Sequence, residues 1–101
     1  MLALASWGFA VFAQAAPAQR ILVVGDSLSA EYGLPRGTGW VALLQKQLNQ
    51  EKPGVEVVNA SISGETTSGG RSRLAALLQK HQPSHVVIEL GGNDALRGLP
   101  L

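Results

Sequence analysis

The sequence predicts an α/β fold, a three-layer α/β/α sandwich around a parallel sheet, from three observations. Short apolar runs rich in β-branched residues alternate with helical stretches of roughly 10–15 residues. Each run is cut off by a turn containing Gly or Asn. One run, Ile21-Leu22-Val23-Val24, is apolar at every position, as a strand buried on both faces must be.

That run is the first strand, ended by Gly25-Asp26. From Trp40 to Gln50, apolar Trp40, Val41, Leu43, Leu44 and Leu48 recur at helical spacing; Thr38 is a candidate cap and Pro53-Gly54 marks the end. Val55-Glu56-Val57-Val58-Asn59 is the second strand, and a polar, Gly-rich loop from Ser61 to Gly70 follows it. In the second helix Leu74, Ala75, Leu77, Leu78 and His81 share a stripe, Ser68 is the candidate cap, and Pro83 forbids continuation. Val86-Val87-Ile88-Glu89-Leu90 is the third strand, broken by Gly91-Gly92. Strands joined through helices imply right-handed crossovers and helices on both faces of the sheet.

Residues 1–19 carry no charge, so all 15 charged side chains fall after them, and the chain divides near Arg20. The apolar run Leu2–Ala13 leads into Ala13-Gln14-Ala15, the small-x-small pattern of a signal-peptidase site. Residues 1–15 therefore read as an export signal and 16–101 as the folded part, with a periplasmic or secreted destination. A buried N-terminal helix is the alternative, and the missing Lys or Arg near Met1 fits a signal poorly. A membrane span needs about 18 consecutive apolar residues, and Gln14, Pro17 and Gln19 stop the run earlier, so no stable membrane anchor is expected. Eight basic against seven acidic residues give no footprint for nucleic acid. With no cysteine there is neither disulfide nor thiolate metal site, and no metal, nucleotide or redox cofactor has sequence support. Oligomeric state leaves no signature.

In a parallel sheet the loops after Val24, Val58 and Leu90 all emerge at the carboxyl edge, where open α/β sheets place their ligand sites. They contain Gly25-Asp26-Ser27-Leu28-Ser29, Asn59-Ala60-Ser61-Ile62-Ser63-Gly64-Glu65-Thr66-Thr67 and Gly91-Gly92-Asn93-Asp94. Singly, each is an ordinary turn. In this order, at the ends of successive strands, they resemble the SGNH (GDSL-type) hydrolases, over about residues 20–101. The strings Val58–Gly64 and Glu89–Asp94, followed by Leu96-Arg97-Gly98, look like the periplasmic multifunctional thioesterase, lysophospholipase and arylesterase type within that family. The resemblance implies a flavodoxin-like sheet of which the chain holds the first three strands. It also implies hydrolysis of small acyl esters or thioesters through an acyl-enzyme. Ser27 is then the nucleophile, and the N–H groups of Ser27 and Gly64 with the Asn93 side-chain amide form the oxyanion hole.

The residue types suit that chemistry. A hydroxyl attacking an ester carbonyl builds a negative oxygen, which fixed donors stabilise. Glycine lets backbone approach closely, and a neutral Asn donates without ion-pairing. Asp26 supports the loop through backbone hydrogen bonds, with proton transfer as the alternative; Asp94 reads as the cap of a helix beginning at Ala95. Glu65, Glu89 and Arg97 have only solvation or loop contacts assigned.

The family's Asp-x-x-His block, which supplies the general base, does not occur here. His85 opens the third strand, and the residues up to Gly91 put it roughly 17–20 Å from the site. His81 ends a helix running back toward the same remote edge. The expectation is an N-terminal part of a hydrolase, inactive without its proton-transfer pair, with an unpaired apolar strand edge. A non-catalytic acyl-binding or interaction module is the alternative; a third reading, nucleotide binding on a Rossmann-like sheet, has weak support, since neither G-x-G-x-x-G nor G-x-x-x-x-G-K-S/T is present.

Overall fold

A computed structural model describes residues 19–100; the export signal assigned to residues 1–15 lies outside them. The elements run β1 (Gln19–Gly25), α1 (Trp40–Glu51), β2 (Val55–Asn59), α2 (Thr67–His81), β3 (His85–Glu89) and α3 (Gly92–Leu96). The sheet is parallel, in the order β2-β1-β3. The chain steps from β1 to one neighbour and then across to the other, so right-handed crossovers put α1 and α2 on opposite faces.

β1 is the core. Leu22, Val23 and Val24 are at most 1% exposed, so successive side chains are buried on both faces, as their uninterrupted apolar character requires. The strand is longer than its apolar stretch because Gln19 and Arg20 still pair, with Val55 and Glu56. Arg20 also ties the amino edge together: its Nε meets Glu56 Oε1 at 2.7 Å and its Nη1 donates to the His81 carbonyl at 2.6 Å.

The helices meet the sheet along narrower stripes than the sequence suggests. In α1, Val41 is buried and Leu44, Gln45 and Leu48 are partly covered, whereas Leu43 lies 54% exposed, off that stripe. Gln45 stitches α1 to β2, accepting from Val57 N–H and donating to the Val55 carbonyl. In α2, Gly70, Leu74, Leu77 and His81 form the inner face, while Ala75 and Leu78 are exposed. Gly70 permits a close approach, since a Cβ there would stand 2.5 Å from Leu90 Cδ1.

Both caps differ from expectation. Thr38 does not cap α1; its hydroxyl donates to the Pro35 carbonyl, and the N-cap is Gly39. Glu31 instead fixes the approach to the helix, its carboxylate accepting the Gly39 and Gly37 N–H groups at 2.8 and 2.9 Å. Those two donors hold the Glu31 carboxyl below its ordinary pKa. For α2 the cap is Thr66, which accepts from Gly69 N–H; Ser68 lies inside the helix, because the helix begins at Thr67 within the stretch read as loop. β3 has one strand beside it, and Val86, Val87 and Ile88 are exposed.

The two serine/threonine positions separate by mutation. Thr66→Ala should lower unfolding free energy by about 1 kcal/mol and Ser68→Ala by less than about 0.5 kcal/mol, read from urea titrations. The reverse order would return the cap to Ser68.

Candidate active site

β1 delivers Gly25-Asp26-Ser27 to the carboxyl edge. Gly25 is enclosed so tightly that a Cβ would come within 2.7 Å of Ser29 Oγ and 2.8 Å of Glu89 Oε1. Asp26, 3% exposed, accepts Leu28 N–H on Oδ1 at 3.0 Å, while its carbonyl accepts the N–H groups of Ser29 and Ala30. The chain therefore turns sharply just past Ser27, leaving that side chain half-buried on the outside of the turn.

The loop after β2 first continues the ladder, with Ala60 N–H on the Val23 carbonyl and Ile62 N–H on the Gly25 carbonyl. It then turns through Gly64, whose φ of 86° is the left-handed region that favours glycine. Arg73 ties this loop to α2, meeting Glu65 Oε2 at 2.8 Å and the Ala60 carbonyl at 2.6 Å.

The loop after β3 turns through Gly91, φ 120°, directly into α3. Asp94 is not the cap of a helix starting at Ala95. It sits inside a helix that starts at Gly92, and its buried carboxylate reaches across to α2. Oδ2 accepts the Thr67 hydroxyl at 2.7 Å and Oδ1 the Thr67 N–H at 2.9 Å, satisfying a free donor at the start of that helix. The Thr67 hydroxyl, then its N–H, hold the Asp94 carboxyl below the ordinary aspartate value. No sequence pattern signals a contact 27 residues apart.

Ser27 and Asn93 line one open cleft of about 230 Å³, together with Asp26, Leu28, Gly92 and Leu96. Gly64 is not among the lining residues. It is linked to the cleft through its neighbour, since Asn93 Nδ2 donates to the Glu65 carbonyl at 2.9 Å, and through Arg97, whose Nη2 donates to the Gly64 carbonyl at 3.1 Å. Neither histidine is near. His85 pairs with Ile21 at the amino end of the sheet, and the His81 carbonyl is held there by Arg20. Among the described residues no group of three or more His, Cys, Asp or Glu could hold a metal ion, and no helix is long and apolar enough to cross a membrane. Glu89, Ser29 and Trp40, to which the sequence assigns no site role, form a hydrogen-bonded cluster under the Ser27 turn.

Residues 23–101 match the family model of the GDSL-like lipase/acylhydrolase family. The chain belongs to this family. It is 62% identical over 86 residues to esterase TesA of Pseudomonas aeruginosa, covering 85% of this chain and 43% of that protein. It is 51% identical over 85 residues to thioesterase 1/protease 1/lysophospholipase L1 of Escherichia coli, covering 84% and 39%. A crystal structure of TesA superposes with a TM-score of 0.79 at 61% identity, over 81% of this chain and 46% of that one. The chain thus spans less than half the length of the relatives it matches.

Asp94 gives the family's third loop a testable pH signature. Because its folded pKa is depressed, its contribution is complete above the ordinary aspartate value of about 3.9 and drains away as pH falls through the lower folded value. The stability gap between the native chain and Asp94→Ala should stay level from about pH 7 to pH 5 and shrink below about pH 4, measured by urea unfolding. An unchanged gap at the acid end would mean that the carboxylate charge does not hold Thr67.

Proposed function

We propose that this chain carries the nucleophile and oxyanion hole of an exported serine hydrolase acting on small acyl esters or thioesters, of arylesterase, thioesterase or lysophospholipase type. The observation that carries this reading is the shared cleft of Ser27 and Asn93 at the carboxyl edge of a parallel sheet. The names of the two relatives, an esterase and a thioesterase/lysophospholipase, support the bond type.

Ser27 Oγ attacks the acyl carbonyl, the bond to the alcohol or thiol breaks, and water then releases the acid from the acyl-serine. The tetrahedral oxygen is met by the Ser27 N–H and by Asn93 Nδ2, from two residues that line the cleft. The Gly64 N–H, on the adjoining loop that Asn93 ties down, is the third donor that the family resemblance implies. The bond to the Glu65 carbonyl uses one of the two Asn93 amide hydrogens and orients the amide, leaving the other for substrate. Asp26 and Asp94 act as supports: one shapes the nucleophile turn, the other pins the Asn93 segment to α2. The general base comes from outside residues 1–101, as an Asp-x-x-His pair, and the chain by itself is inactive. Residues 1–15 direct export, residues 16–101 are the first part of the hydrolase domain, and the substrate is a small acyl ester or thioester.

The remoteness of both histidines also suits a second reading, an acyl-binding module without turnover. One experiment separates the two. A chimaera joining residues 20–101 to the second half of the Pseudomonas aeruginosa esterase should hydrolyse p-nitrophenyl acetate and short acyl thioesters. Ser27→Ala should reduce it to background, and Asn93→Ala should lower kcat by about 100–1000-fold. Equal activity with Ser27→Ala would remove Ser27 from the chemistry; acyl binding with no turnover would favour the second reading.

A further inference from the structure

Glu89 ends β3 and lies level with Gly25, the last residue of β1, in the parallel register. From that place its side chain reaches beneath the turn that carries Ser27. A single oxygen, Oε1, accepts the Asp26 N–H at 3.2 Å and the Ser29 hydroxyl at 2.8 Å. Those two donors flank Ser27, one residue before it and two after.

The bonding has a fixed direction. An indole N–H only donates and a carboxylate only accepts, so Trp40 Nε1 donates to Ser29 Oγ at 3.0 Å and the hydroxyl gives its own proton to Glu89. Asn59 Nδ2 donates to the Ser29 carbonyl at 2.7 Å. Ser29, 1% exposed, is thus held by α1 through Trp40, by β2 through Asn59 and by β3 through Glu89. Gly25 leaves just enough room, since its hypothetical Cβ would displace both the hydroxyl and the carboxylate.

We propose that Glu89 and Ser29 are a positioning pair for the nucleophile: the run of bonds from Trp40 through Ser29 to Glu89 clamps both flanks of the turn and so sets where Ser27 Oγ and the Ser27 N–H stand over the cleft. This rests on the reading of Ser27 as nucleophile and adds two residues to its machinery. Acyl transfer is sensitive to such placement, because an error of about 1 Å in a reacting group can cost on the order of 100-fold in rate.

The test uses the chimaera described above, with kcat, KM and thermal unfolding measured on the same samples. Glu89→Ala and Ser29→Ala should each lower kcat by about 10–100-fold while KM moves by less than about threefold. Glu89→Gln, which keeps an acceptor oxygen, should restore most of the rate. The double variant should lose no more than the worse single one, because both act through one oxygen. Additive losses, a Gln variant no better than Ala, or a native kcat per folded molecule in the Ala variants would overturn the proposal. If Glu89→Ala does not fold, Ser29→Ala and Glu89→Gln carry the comparison. A readout without turnover keeps the failures apart. The Trp40 indole proton resonance, assigned with Trp40→Phe, should move in Ser29→Ala and hold its position in Glu89→Gln. No movement in Ser29→Ala disproves the relay whatever Ser27 does. Movement combined with full activity in Ser27→Ala instead disproves the nucleophile and, with it, the positioning role.

Discussion

Parallel pairing of β1 with a neighbour on each side decides where chemistry can occur in this molecule. β2 runs level with Gln19 to Val23 and β3 with Ile21 to Gly25, so the two outer strands finish two residues apart along the central one. All three loops leave at one edge, slightly staggered. The stagger lets the loop after β2 keep hydrogen-bonding along β1 as far as the Gly25 carbonyl before it turns. Burial of Leu22, Val23 and Val24 supports that pairing, at about 1.5–3 kcal/mol for each large aliphatic side chain fully removed from water.

Two polar clusters then refine the edge. One lies under the Ser27 turn, where Glu89, Ser29, Trp40 and Asn59 bring both outer strands and the first helix to bear on residues 26–29. The other joins the second and third loops: Asp94 to Thr67, Asn93 to the Glu65 carbonyl, Arg97 to the Gly64 carbonyl, and Arg73 across Glu65 to Ala60. Each cluster centres on one buried polar side chain, Ser29 or Asp94, and such groups are costly when unpaired and rigidifying when satisfied. Their concentration at the cleft suits a site whose donors must be in place before charge develops.

β1 is readable because burial on two faces leaves an unbroken apolar run. β2 and β3, which are not buried in that way, are readable from their β-branched composition and the turns that end them. Val55–Asn59 matches its expected bounds residue for residue. Helix ends were harder to read. Thr38 and Thr66 carry the same hydroxyl, yet only Thr66 caps, because α1 takes Gly39 as its N-cap, one residue past Thr38, whose hydroxyl donates to the Pro35 carbonyl. Helical spacing also overstated the buried faces: Leu43 and Leu78 lie near the apolar stripe but beyond the width that one layer of sheet covers. The three loop motifs were visible as sequence strings. What joins them was not, since the Thr67–Asp94 and Ser29–Glu89 bonds connect residues 27 and 60 positions apart and depend on strand order.

On the proposed function, the carboxyl edge presents one reactive serine, Ser27. Intact mass followed by fragmentation of the chimaera, after reaction with an organophosphonate ester, tests it most directly. The account predicts a single adduct on Ser27, with Ser29 two residues away unmodified because its hydroxyl is buried and bonded on both sides. An adduct on Ser29, Ser61 or Ser63, or none in a folded and otherwise active protein, would contradict it.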